Sequence, residues 1–310
     1  MTQLFRTLIF LCCSFLFMNS CKKTETIEGT TITDNDSPYY DGVPTVQVQN
    51  YVNRIFIDLI GREPLDTEME FEVNKLRAND LSFEARDTLI TKLLEDETFL
   101  DGDTSYKHAY YQRTYELFKV RMLEGASDAD IIRERNMIAG NLIRDSIAGD
   151  YYRLALNLRK IEKLNDVLFI NKEYRDGNIE IQEAFARLLD NAVYDKINMN
   201  TFNFLNASFN DLFSRYPTAE EFNIGFDVIE YDIPGNLFGE YAANKGDFIQ
   251  VLVNSEEFDE GIIRWTYGTL LAREPTSEEV YEAMSLFKES NDLQQLQLSL
   301  LRTDEYANFN

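Results

Sequence analysis

From residue 49 onward apolar side chains recur at three- and four-residue intervals, and alternating runs bounded by turn residues are missing. That periodicity predicts helices almost throughout. In 49–60, Val52, Ile55, Phe56, Leu59 and Ile60 fall on one stripe. Residues 83–94 place Leu89, Ile90, Leu93 and Leu94 on one face, and long helices follow over 104–123, 128–147, 151–168 and 179–197. Glycines at 102, 125, 149 and 177 stand at the junctions, where helix ends favour them.

The stripes end in a phrase spelled three times: "LIGREPLDTE" (59–68), "LFSRYPTAEE" (212–221) and "LLAREPTSEE" (270–279). Aligned on Arg62, Arg215 and Arg273, each copy has a small residue just before the arginine. Pro64, Pro217 or Pro275 comes two after it, and Glu68, Glu221 or Glu279 four after the proline. The residue before each proline is biased out of the helical region, so the first helix stops there. Thr218 with Glu221, and Thr276 with Glu279, fit a capping box that starts a second helix. Leu65 breaks the box in the first copy, leaving Asp66 to cap. Each copy closes alike, in "LLEDETF" (93–99), "LVNSEEF" (252–258) and "LLRTDEY" (300–306). The arginine has two readings. It clasps the turn, through the last carbonyls of the first helix or the glutamate of the second, or it binds an anionic ligand. Three copies in different surroundings favour the clasp.

This pattern predicts an all-α fold, an irregular multi-helix array of three related helix-turn-helix modules (49–103, 198–259 and 260–310) around a central helical insert (104–197).

The first residues differ from the rest. Arg6 precedes an apolar run from Leu8 to Met18, then Asn19, Ser20 and Cys21. The run is too short to span a bilayer and has the length of a signal-peptide core. Residues 1–20 therefore read as a lipoprotein signal with Cys21 as the lipidation point, although Met18 stands where leucine is usual; an ordinary secretory signal is the rival reading. Residues 21–48 read as a flexible polar tether. Cys12 and Cys13 lie within the signal, so the body carries no thiol and no cysteine-based metal site.

Thirty basic against 54 acidic residues give a net charge of -24. That opposes nucleic-acid binding, which needs a basic footprint. It is otherwise read as a solvated acidic surface.

The repeated phrases resemble helical modules of secreted bacterial proteins associated with cytochrome c-like domains, which share the aromatic–x–x–L–x–G–R–x–P–T–x–x–E turn. More loosely, "NSEEF" (254–258) is similar to a closing phrase in repeated helical domains of surface adhesins and phycobilisome linkers. The resemblance implies export, helical architecture and an assembly role, and carries over no catalytic residue. No C-x-x-C-H occurs, so no covalent haem is implied.

Other chemistry is sparse. His108 is the sole histidine and reads as a helix residue rather than a base. No phosphate-binding or dinucleotide-binding glycine loop is present. "DNDSPYYDG" (34–42) and "DETFLDGDTS" (96–105) are acidic, but neither has the spacing of a calcium loop. Tyr111, Tyr115, Phe118 and Met122 form a helical stripe that reads as core, as does Trp265. The expectation is a non-enzymatic, lipid-anchored protein of the bacterial envelope, on the outer membrane. It would act as a structural or interaction component with a protein partner and without cofactor or metal. The alternatives are a lipoprotein capturing glycan or peptide for a transporter, and a carboxylate-based hydrolase.

Overall fold

The computed structural model describes residues 42–99 and 103–309. The signal segment, Cys21 and almost all of the tether lie outside the described residues. The fold is all-α. Sixteen helices run along the described residues, with one small hairpin between them.

The first module comprises α1 (Thr45–Ile60), α2 (Asp66–Ala78) and α3 (Phe83–Glu95). Helix α1 begins inside the stretch read as tether. Pro44 is its N-cap, and Val48 is already fully buried. A proline fits there because its missing N–H has no intrahelical partner at a helix start. The central segment holds α4 (Tyr106–Met122), α5 (Asp128–Ala148), α6 (Tyr151–Leu168), α7 (Ile170–Arg175), α8 (Ile181–Leu189) and α9 (Ala192–Asn198). The single helix predicted over 179–197 is thus two. Asn191 interrupts it because its side chain accepts from the backbone N–H of Val193 and Tyr194 and caps a new helix.

The second module comprises α10 (Thr201–Phe213), α11 (Ala219–Tyr231), strands β1 (Gly235–Leu237) and β2 (Glu240–Ala242), and α12 (Lys245–Val253). The strands pair antiparallel, Gly235 opposite Ala242. Periodicity does not reveal them because each is three residues long. Phe238 and Gly239, both at positive φ, make the two-residue turn. The third module is α13 (Glu256–Leu271), α14 (Ser277–Ser290), α15 (Leu293–Leu301) and the short α16 (Asp304–Ala307).

From Gly42 onward the chain is one compact unit, so the modules share a core. Phe118 on α4 meets Phe185 on α8, which meets Phe258 on α13, with ring centres 4.7 and 5.3 Å apart. The tyrosine-rich stripe of α4 belongs to this core: Tyr115, Phe118 and Met122 are buried, and Trp265 packs on Phe118. The two ends of the unit close on each other. The Tyr51 hydroxyl on α1 donates to the Leu301 carbonyl, and Arg86 donates to the Arg302 carbonyl.

The central segment follows the order of the modules. In each module four residues separate the first helix from the next N-cap: 61–64, 214–217 and 272–275. Residues 123–126 are likewise four between α4 and the next N-cap, Ser127, which forms a capping box with Asp130, but here Glu124 and Gly125 are left-handed rather than the first of the four. The segment also closes alike. Asn191 caps α9 as Ser255 caps α13 and Thr303 caps α16, and Tyr194, Phe258 and Tyr306 three residues on are all buried. It is a fourth copy whose second helix is drawn out into the α5–α6 hairpin. Glu124 holds the arginine position and Val193 the position of Glu257 and Glu305, so both halves of the clasp are missing together.

Candidate functional site

The three repeat arginines have the same surroundings. Each first helix ends on a left-handed residue, Gly61, Ser214 or Ala272, with φ of 76, 57 and 54°. That reversal points the next side chain, the arginine, back over the turn. Arg62 meets Glu68 with both terminal nitrogens, at 2.7 and 2.9 Å; Arg215 meets Glu221 at 2.8 and 2.7 Å, and Arg273 meets Glu279 at 2.9 and 2.6 Å. Each also donates to the carbonyl of the following residue, Glu63, Tyr216 or Glu274, rather than to the last helical carbonyls. The glutamates in turn accept the N–H of Leu65, Thr218 and Thr276 at 2.6 to 2.7 Å. In the first copy Asp66 does not cap. Leu65 holds the N-cap position without a side-chain acceptor, and Asp66 lies in the first helical turn, so only the glutamate half of the box forms.

A further carboxylate completes each clasp. Arg215 takes Glu257 at the start of α13, and Arg273 takes Glu305 at the start of α16. In the first copy the phrase 93–99 does not serve. Thr98 stands at the matching position and Phe99 is exposed, and residues 96–99 are not helical. Arg62 binds Asp103 at 3.0 Å instead, and the Tyr106 hydroxyl reaches Glu68 at 2.6 Å. Arg215 and Arg273 place all five N–H groups on protein oxygens, which leaves no donor for an anionic ligand, and Arg62 places four, with every nitrogen engaged. Arg215 bonding holds the Glu221 carboxyl down to about 2, and Arg273 does the same for Glu279. Burial pushes Glu68 upward, but hydrogen bonds from Arg62, Tyr106 and the Leu65 N–H outweigh it, and it too ends at about 2. Pro64, Pro217 and Pro275 sit just before the N-caps and keep the connections extended.

A second bond between copies was not read from sequence. The Tyr306 hydroxyl donates to Asp58 at 2.7 Å, and that of Tyr194 donates to Asp211 at 2.9 Å. Both aspartates stand four residues before a repeat arginine, and that shared offset was the available signal.

The acidic stretch 96–105 is used internally where it is described. Asp96 accepts the Thr98 N–H and Asp103 binds Arg62. The stretch 34–42 lies, except for Gly42, outside the described residues. Among the described residues, no group of three or more His, Cys, Asp or Glu side chains is placed to hold a metal ion. His108 meets Arg175 rather than a nucleophile. No helix among the described residues is long and apolar enough to cross a membrane.

Two surface features remain. The first is the α5–α6 hairpin. Its helices pack chiefly on each other, and from Ala139 to Ile161 the only buried residue is Asp145, held by Asn157 at 2.7 Å. Around the turn Ile143, Ile147, Tyr151 and Tyr152 are 71 to 83% exposed. The second is a groove of about 610 Å³ along α10, reaching Arg121 on α4. Arg121 caps the end of α10, its Nε and Nη2 donating to the carbonyls of Asp211 and Leu212 at 2.6 and 2.8 Å. Its guanidinium carbon lies 5.6 and 5.4 Å from the ring centres of Phe185 and Trp265. Burial lowers it to about 10, against the opposing charge of Asp211.

No protein-family model, no curated protein and no solved structure matches the chain.

Proposed function

We propose that the chain is a non-enzymatic, lipid-anchored protein of the bacterial cell envelope, on the outer membrane. In this reading Cys21 carries the lipid and the folded unit is a structural or interaction component of an assembly. The apolar run ending at Cys21 and the resemblance of the arginine turns to exported helical modules support the setting. The observation that carries the interaction role is the α5–α6 arm. Four large apolar or aromatic side chains at its turn cover no core, and exposed apolar groups gathered at one place mark contact sites.

Charge points the same way. Residues 128–168 contain seven arginines and lysines and seven aspartates and glutamates, so this segment is neutral in a chain of net charge -24. A protein partner meeting the arm escapes the repulsion that the rest of the surface imposes on other acidic proteins.

The test is affinity purification of the full-length protein from detergent-solubilised membranes. It is run beside a variant carrying Ile143→Ser, Ile147→Ser, Tyr151→Ser and Tyr152→Ser. The reading expects a stoichiometric protein partner with the wild type and its loss with the variant at unchanged melting temperature. Reproducible recovery of the wild type alone, or equal capture by both, would overturn it. Cys21→Ala should release the protein from the membrane fraction; retention there would remove the anchor.

A further inference from the structure

The groove along α10 is built from a different chemistry than the arm. Asn203, Asn206 and Asn210 line it, spaced so that all three lie on one face of the helix. Asn206 spends one donor on the Phe202 carbonyl and Asn210 one on Asp211, and the row offers its remaining donors and its acceptors. Phe202 and Tyr216 line the same groove and are 59 and 69% exposed, although Phe222 takes one edge of the Phe202 ring, with ring centres 5.2 Å apart. At its floor is Arg121. Two of its nitrogens are occupied by the end of α10, but Nη1 is shut off from solvent and has no hydrogen-bond partner. Being shut off, Nη1 is out of reach of a ligand lying in the open groove, so Arg121 shapes the floor and offers the groove no hydrogen bond.

We infer that this groove is a binding site for a neutral saccharide. Sugar hydroxyls both donate and accept, which matches a row of carboxamides. The apolar faces of a pyranose ring suit exposed aromatic rings. The cavity volume is in the range of small-ligand sites.

The charges at the groove exclude anionic ligands. Glu124 and Asp211 line it beside the single cation, Arg121. Spacing argues against an extended peptide. The asparagines rise along α10 by about 4.5 and then about 6 Å. The backbone groups on one side of an extended peptide repeat at about 6.6 Å instead. The site is separate from the arm, so it stands or falls independently of the assembly reading.

Trp265 is the sole tryptophan, and its ring centre lies 5.4 Å from the Arg121 guanidinium, so its emission reports on this floor. The experiment titrates the full chain with maltotriose, cellotriose, mannotriose and triacetylchitotriose, with trialanine as the peptide probe. The inference expects at least one trisaccharide to shift the emission with a Kd at or below about 1 mM. The double variant Asn203→Ala, Asn210→Ala should bind it at least about tenfold more weakly. Its melting temperature should be unchanged, because alanine favours the helix. Silence of all four saccharides up to about 10 mM overturns the inference, a free energy too small for a specific site. So does undiminished binding by the double variant, or a response to trialanine alone.

Discussion

Arg273 and Glu305, 32 residues apart in sequence, face each other through two parallel hydrogen bonds, Nη2 standing 2.8 Å from Oε2 while Nε serves Oε1. The same guanidinium holds Glu279, so one side chain ties the end of α13 to the starts of α14 and α16. Removing it frees three elements. Arg273→Ala should lower stability by about 1–2 kcal/mol, the upper end for a partly exposed ion pair because the arrangement is a bidentate network. Arg273→Lys should recover little, since an ammonium cannot present a planar fork. Urea midpoints of the two variants check this; a wild-type midpoint for Arg273→Ala dismisses the clasp.

The clasps also set a pH dependence. Glu68, Glu221 and Glu279 take up a proton near 2 in the fold, against an ordinary value of 4.5. Between those limits the unfolded chain binds more protons than the native one. Their stabilisation is therefore complete above the upper limit and lost as pH falls toward the lower. Glu279→Gln should be less stable than wild type at neutral pH, and the gap should shrink through this window. Denaturant titrations at several pH values measure the slope.

Asp259 on α13 runs the other way. Burial raises its carboxyl from 3.8 to about 6, with Lys288 opposing and Glu256 adding. Here the native state holds the extra proton, so stability falls as pH rises through that window and the penalty is full above it. Asp259→Asn should stabilise the protein at neutral pH, and the difference should vanish near the lower limit. A pH-independent difference between the two proteins would count against the assignment.

Ala272 ends α13 at φ 54°, a conformation that costs a non-glycine residue about 1 kcal/mol. Ala272→Gly should therefore raise stability by about 1 kcal/mol, offset in part by the freer unfolded chain. Gly61 already fills this position in the first copy. Thermal melts of Ala272→Gly and Ser214→Gly, which shares the geometry, give the comparison.

Gly261 is where α13 crosses α10. A Cβ there would stand 2.1 Å from the Leu212 carbonyl oxygen, too close for any side-chain adjustment to relieve. Gly261→Ala should push the helices apart and cost about 1–3 kcal/mol. The neighbouring Gly268, with nothing near its added carbon, is the control, and Gly268→Ala should be neutral or stabilising.

The first arginine shows where sequence reading stops. Its glutamate, six residues on, was legible because the turn is a local device that keeps the same spacing in all three copies. Its third partner was not. Asp103 takes the place of the expected closing phrase, where Thr98 stands at the glutamate position, and no helical periodicity marks it. The fourth copy was hidden for a related reason. Glu124 and Val193 erase the residues by which the others are recognised, while only the length of the connection and the positions of the caps survive.

The groove is likewise tertiary. Three asparagines on α10 can be spotted in sequence, but Arg121 comes from another helix, and only packing decides which of its nitrogens stays unpartnered. By itself the sequence determined the all-α class, most of the helices, and the helix stops and starts at the three arginine–glutamate turns, because periodicity and capping act over a few residues. Only the tertiary structure decided which carboxylate completes each clasp, which hairpin stands clear of the core, and where a groove opens. Those depend on contacts between segments far apart in the chain, and no local pattern encodes such distances.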